Sequence, residues 1–244
     1  MNNNIISKYK RTSATCLIFV FVFLLSTVNC YSEEKDYIFS YGSLISSESR
    51  ARTGISNNPI PVRVSGLQRG WVSRVPQAKT TALGIYRSLE ASCNGIIFEV
   101  AKEEVSKFDE REGSSYERVR IGLSDIEIID TAVGGKGQFV LPVSSRIWVY
   151  MPKESLFPTD ELPIIQSYVD VVLSGCLEYG LDYAKEFTQS TKGWDYSWIN
   201  DRQCPIYVRA MKFVPEMATI DDILYKITGR LPSDKSVDAS CKCF

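Results

Sequence analysis

Tyr37-Ile38-Phe39-Ser40-Tyr41-Gly42-Ser43-Leu44 is the stretch on which the reading of the fold turns. Its first five residues are rich in aromatic and apolar side chains and have strand composition, and the run stops at Gly42-Ser43, a turn signal. Upstream, residues 32–36 read as a short acidic linker. Downstream, Ser46 or Ser47 followed by Glu48 is suited to cap a short helix reaching Arg52, after which Gly54 and Asn57-Asn58-Pro59 break the chain. Residues 62–75, 81–86 and 94–100 then read as strands, and residues 102–110 as a helix with Val105 and Phe108 on one face. Residues 116–123, 126–129 and 146–150 return to strand composition. The last third changes character: Ile164, Ile165, Tyr168, Val171, Val172 and Cys176 fall at helical spacing, with Pro163 suited to a first helical turn and Gly180 to its end. Residues 182–188 and 221–227 are further helical stretches. Strands first and helices later predict an α+β body with a C-terminal helical extension, divided inside the Pro-rich connector between Pro152 and Pro163.

The 244 residues, 44% hydrophobic and 23% charged, suit a soluble globular chain. Residues 1–30 differ from the rest. Lys8, Lys10 and Arg11 precede an apolar run from Cys16 to Val28, with no acidic residue before Glu33. That pattern predicts a secretory signal peptide cut before Tyr31, and hence a secretory or extracellular location. An uncleaved signal anchor is the competing reading. Cleavage would remove three positive charges and take the formal net charge from −1 to −4, which gives no electrostatic reason to expect nucleic acid. Of seven cysteines, Cys93, Cys176, Cys204, Cys241 and Cys243 lie beyond the leader, an odd number that leaves at least one unpaired within the chain. There are no histidines, which excludes Ser-His-Asp and Cys-His nucleophilic sites and every His-ligated metal site. An acid–base group in this chain is therefore a carboxylate, Lys or Tyr.

Two places are unusual. The turn at Tyr41-Gly42-Ser43-Leu44 can let backbone N–H groups converge on a carboxylate without a Cβ in the way; an ordinary strand-ending turn reads similarly. In Phe108-Asp109-Glu110-Arg111-Glu112-Gly113-Ser114-Ser115-Tyr116, helix composition ends at Glu112 and Gly113 permits a sharp exit. A carboxylate there could be partly desolvated and poised to take and return a proton, or it could be a solvated helix end.

The two motifs together resemble the γ-glutamylcyclotransferase superfamily, especially its ChaC-like and AIG2-like branches. Between them, Gly66-Leu67-Gln68-Arg69-Gly70-Trp71 is similar to the strand that carries a Gly-Trp or Gly-Phe pair, and Asn94-Gly95-Ile96-Ile97-Phe98 to the strand before the Glu-bearing helix. The resemblance covers residues 36–151. Residues 160–230, including Gly193-Trp194 and the Trp198–Arg202 segment, look like an extension, and residues 231–244 a Cys-containing tail. The resemblance implies a small mixed-sheet, barrel-like domain. It implies Glu112 as the catalytic acid/base, Gly42, Ser43 and Leu44 as backbone donors to a γ-glutamyl α-carboxylate, and Tyr41 and Tyr116 as pocket residues. Glu110 and Arg111 are assigned to orientation or structure.

The implied reaction is cyclisation of a γ-glutamyl amide to 5-oxoproline with release of the amine, needing no cofactor and no metal. The leaving group, whether from glutathione, a γ-glutamyl amino acid or a γ-glutamylamine, is left open, as is oligomeric state. A small-molecule γ-glutamyl substrate is the expected partner, with no nucleic acid and no membrane span after signal cleavage. The rival class is a secreted binding domain that keeps the fold without turnover. N-terminal sequencing of protein from its native source should return Tyr31 or a residue within a few of it; an intact Met1 on membrane-extracted protein would establish the signal anchor.

Overall fold

The computed structural model describes residues 35–130 and 141–234, all within one compact unit. The leader over residues 1–30 and the end of the tail, with Cys241 and Cys243, lie outside the described residues. The elements run β1 (Asp36–Ser40), α1 (Ser47–Ala51), β2 (Asn57–Val75), β3 (Thr80–Val100), α2 (Val105–Glu112), β4 (Tyr116–Ile121), β5 (Ile126–Ile128) and β6 (Arg146–Pro152). The last third adds β7 (Ile164–Ile165), α3 (Gln166–Leu177), α4 (Leu181–Ser190), β8 (Thr191–Lys192), β9 (Trp198–Asn200), α5 (Met217–Thr228) and β10 (Ser233–Asp234).

The expected α+β class with a mixed sheet and a C-terminal helical extension is the one observed. The main sheet has the order β4-β6-β1-β3-β2-β5, with β8 beside β2. It stays open: among the described residues β4 and β5, at its two ends, do not pair. β1 sits inside the sheet, antiparallel to β3 and parallel to β6, with Phe39 opposite both Ile97 and Val149. A strand flanked on both edges and covered on both faces buries consecutive side chains, so Tyr37, Ile38 and Phe39 form an apolar run rather than an alternating one.

Three boundaries differ from the sequence reading. Asn57-Asn58-Pro59 does not end a segment but begins β2, with Asn58 at φ 49° and the irregularity absorbed as a register shift between Asn57 and Ile60. The segments expected at 81–86 and 94–100 are one strand, β3; the interval between them pairs with β2 around a bulge, where Gly66 stands against residues 88–91. Leu89 is almost fully exposed there, which removed the alternation that would have signalled a strand. Helix α3 begins at Gln166 rather than at Pro163. The Pro163 carbonyl accepts from Thr81 N (2.9 Å) and Thr80 Oγ1 (3.0 Å), and Ile164–Ile165 pair with Trp198–Ile199, which keeps the stretch extended.

The extension shares the core of the sheet. Tyr168, Val169, Val172 and Cys176 of α3, Tyr183 and Phe187 of α4, and Ile220 and Leu224 of α5 pack in one cluster with β1, β2 and β3. Arg69 of β2 is fully buried and donates to the Thr191 Oγ1 (2.8 Å), Phe187 O (2.7 Å) and Ser190 Oγ (2.7 Å) of the extension. Helix α3 also crosses the turn after β1 at backbone distance. A Cβ on Gly175 would lie 2.3 Å from Ser46 N and 2.6 Å from Ser46 Cα. Gly175→Ala should therefore lower the unfolding free energy by about 1–3 kcal/mol, the usual effect of overpacking. A fall in denaturant midpoint at unchanged m-value is the expected result.

Candidate active site

The turn after β1, the exit of α2 and the start of α3 converge on a cavity of about 920 Å³. Ser43–Ile45 form a single 3₁₀ turn with Gly42 as its N-cap, closed by Ile45 N to Gly42 O at 2.9 Å. The first N–H groups of such a turn have no partner within it. Beneath the turn lies Arg50 of α1, only 5% exposed, whose Nη1 donates to Leu44 O (2.8 Å) and Ile45 O (2.9 Å). Its guanidinium also lies 5.4 Å from the centre of the Phe98 ring. The Leu44 and Ile45 carbonyls are thereby held by a buried guanidinium, which fixes the orientation of their peptide units.

Helix α2 stops after Glu112 because Gly113 adopts φ 67°, ψ −166°, a conformation that side chains with a Cβ resist. The chain reverses into β4, and Arg111, Glu112 and Tyr116 all reach the cavity. Arg111 Nε donates to Glu112 Oε1 (3.1 Å), its Nη2 to Ser43 Oγ (3.0 Å) and its Nη1 to Thr53 Oγ1 (2.5 Å). One guanidinium therefore bonds both motifs that the sequence singled out. Glu112 is 19% exposed at its side chain. Burial raises its pKa above the ordinary carboxylate value, while Arg111 and then Arg209 pull in the opposite direction. Glu110, two residues earlier, is exposed and does not line the cavity.

The tyrosines divide by role. Tyr41 lines the cavity and donates its hydroxyl to Tyr150 O (2.6 Å), tying the end of β1 to β6. Tyr116 shares a 2.6 Å hydrogen bond with Ser73 Oγ, and its pKa is pushed up to about 12 by burial and then by the nearby Glu112. Ser43 contributes its hydroxyl to Arg111 as well as its amide to the turn, a role not expected from the sequence. The residues Leu44 and Gly42 both line the cavity, as expected for the turn.

Four participants went unforeseen. Tyr168 sat at helical spacing in an apolar stripe that carried no sign of a site. Tyr207 and Arg209 lie in an irregular stretch between β9 and α5 that shows no periodicity. Thr53, which accepts from both Arg111 and Arg209 Nη1 (2.8 Å), followed a short helix and carried no signal. Outside the cavity, Cys93 and Cys176 are buried free thiols and Cys204 is disulfide-bonded. Among the described residues no cluster of three or more His, Cys, Asp and Glu side chains is placed to hold a metal ion, and no helix is long and apolar enough to cross a membrane.

No family profile and no curated protein matches the sequence. Similar solved structures include an uncharacterised protein from Homo sapiens, with 18% identity over 64% of this chain and 87% of that one, at a TM-score of 0.44. A structure titled gamma-glutamyl cyclotransferase is 17% identical over 79% of this chain and 99% of its own, with a TM-score of 0.47. A γ-glutamyl cyclotransferase from yeast, described as specific to glutathione, is 10% identical over 79% of this chain and 99% of its own, with a TM-score of 0.36. Solved structures similar to this chain thus include γ-glutamyl cyclotransferases.

Proposed function

We propose that this chain cyclises a γ-glutamyl amide to 5-oxoproline, with Glu112 as the proton-transfer residue. The observation that carries the reading is the bridge made by Arg111, whose guanidinium bonds Ser43 of the turn and Glu112 of the helix exit beside one cavity. A substrate carboxylate seated on the N–H groups of the Gly42–Leu44 turn would present the rest of the γ-glutamyl chain toward Glu112. The α-amino nitrogen attacks the γ-carbonyl carbon to close a five-membered ring, and the amide C–N bond breaks. Holding that conformer supplies a large effective molarity, so no protein nucleophile is required. Glu112 takes the proton lost by the amine and returns one to the departing nitrogen. A carboxylate whose pKa is raised by burial suits both transfers, and Arg111 and Arg209 keep the shift from growing. A signal peptide over residues 1–30, if cleaved as expected, would place this activity in the secretory pathway.

A 5-oxoproline assay over glutathione, γ-glutamyl amino acids and γ-glutamyl-lysine tests the reaction class. Glu112→Gln should lower kcat by at least about 100-fold, the lower end of what general acid–base groups contribute, with KM changed little. Glu110→Gln is the control and should retain activity, because that side chain faces solvent. Ligand binding without turnover by the wild type would favour the binding-domain alternative.

Glu112 also sets a pH dependence. The base works deprotonated, so kcat/KM should rise with pH through the raised pKa, and this limb should vanish in Glu112→Gln. For stability the sign is opposite. A carboxyl whose pKa is raised on folding binds its proton more tightly in the native state, so its contribution is present at low pH and lost as pH rises through the native pKa. Thermal unfolding of Glu112→Gln, compared with wild type between about pH 4 and about pH 7, should show the variant gaining on wild type as pH increases.

A further inference from the structure

Elsewhere in this chain arginines grip carboxylates with both prongs of the fork. Arg63 donates from Nε and Nη2 to the two oxygens of Glu186 (2.8 and 2.9 Å), Arg146 likewise to Asp36 (2.8 and 2.7 Å) and Arg202 to Asp170 (2.8 and 2.7 Å). Such a fork favours the ionised carboxylate and engages both of its oxygens. Arg111 beside Glu112 departs from this pattern. Its Nε reaches Glu112 Oε1, but Nη2, the nitrogen that completes the fork in the other pairs, donates to Ser43 Oγ, and Nη1 donates to Thr53 Oγ1. Among the described residues the Glu112 side chain accepts no further hydrogen bond, so Oε2 has no protein donor beside the cavity that the residue lines.

The diversion of Arg111 is anchored from the helical extension. A threonine hydroxyl has two lone pairs. At Thr53 one meets Arg111 and the other meets Arg209 Nη1 (2.8 Å). The same Arg209 nitrogen donates to Ser49 O (2.9 Å), which ties the irregular stretch between β9 and α5 to the end of α1. Arg209 thereby sets a second positive charge near Glu112 without bonding it. The other groups that face the carboxylate are phenols: Tyr41 from the end of β1, Tyr116 from β4 and Tyr168 from α3. Each has its pKa raised, first by burial, so each is neutral at physiological pH. Arg74, Lys153 and Glu154 line the same cavity.

We propose that Thr53 and Arg209 are positioning residues for Glu112: the Thr53 hydroxyl, with that of Ser43, holds Arg111 to a single bond on the carboxylate, and Arg209 fixes Thr53 in place. The proposal rests on the cyclotransferase reading, in which Glu112 takes a proton from one nitrogen and returns one to another. A carboxylate clamped at both oxygens is a poor acceptor, whereas one held at Oε1 alone is oriented and keeps Oε2 for the proton. The two residues act on the same carboxylate in opposite senses. Loss of the Thr53 hydroxyl lets Arg111 close on Glu112 and favours its ionised form. Loss of Arg209 removes a cation and favours the protonated form.

The titration of Glu112 can be read directly, by carbon-13 NMR of full-length protein labelled at the glutamate Cδ, between about pH 3 and about pH 8. Glu112→Gln assigns the resonance. Thr53→Val, which keeps the shape and removes the hydroxyl, should lower the midpoint by about one pH unit, the lower end of what an adjacent opposite charge does. Ser43→Ala, which keeps the amide of the turn, should move it in the same direction, and Thr53→Ser should restore the wild-type value. Arg209→Gln should move the midpoint upward. With γ-glutamyl-alanine as substrate, the acid limb of kcat/KM should shift to lower pH in Thr53→Val and to higher pH in Arg209→Gln. A lowered unfolding midpoint with the titration unmoved marks these residues as packing alone and overturns the proposal. So does an upward shift in Thr53→Val, a downward shift in Arg209→Gln, or a failure of Thr53→Ser to restore the midpoint. The titration needs no turnover, so it stands apart from the cyclotransferase reading itself. That reading is sunk if the wild type releases no 5-oxoproline from any γ-glutamyl compound.

Discussion

The guanidinium of Arg69 is fully buried and meets only neutral acceptors: two carbonyls, two hydroxyls and the side-chain oxygen of Asn94. Its central carbon also lies over the Phe187 ring, 3.4 Å from the centroid. Burying a charge is costly unless its donors are satisfied. Burial lowers the pKa of Arg69, and the surrounding dipoles offset that cost by engaging every nitrogen of the fork. No other side chain carries five donors in this geometry. Its acceptors come from β3, α4 and β8, so the sheet and the extension cannot separate without taking the Phe187 carbonyl and the Ser190 and Thr191 hydroxyls away from a buried charge. The rest of the structure follows from that attachment.

With α4 and β8 fixed to β2, helix α3 is brought across the end of β1. Gly175 passes the Ser46 backbone, and Glu178 accepts from Ser47 N (2.9 Å) and Ser47 Oγ (3.1 Å). The turn that opens the cavity is therefore held from below by Arg50 and from the side by a helix more than a hundred residues later in the chain. The extension is structural support for the site and part of its lining.

The polar economy of the cavity is uneven in a way that fits chemistry more than stability. Arg111 and Arg209 share the oxygen of Thr53, and each sits in the repulsive field of the other; burial and then Arg111 lower the pKa of Arg209. Glu112 is the carboxylate that meets Arg111, and burial raises its pKa despite that contact. A carboxylate whose pKa is raised by burial although a guanidinium bonds it differs from an ordinary surface ion pair, which shows no such tension.

How much of this was legible depends on the range of the interactions. The β1 run, the Ser46 cap, the helix exit at Gly113 and the order of strands before helices are local consequences of composition, and they could be read without the fold. Glu112 could be singled out through the resemblance carried by its Glu-Gly-Ser-Ser-Tyr run, because a charged, Gly-terminated helix end reads the same whether it is solvated or partly desolvated. The bulged continuity of β3 was hidden, since solvent on both sides of residues 88–91 removes the alternation that marks a strand. Tyr168 was hidden for a different reason: an aromatic in an apolar helical stripe looks the same whether its hydroxyl ends in a core or in a cavity. The sequence by itself determined the strand end, the turn and the carboxylate. Only the tertiary structure decided that Arg111 joins them and that Tyr168, Tyr207 and Arg209 close around them, because those contacts span tens to more than a hundred residues and leave no periodic trace in the chain.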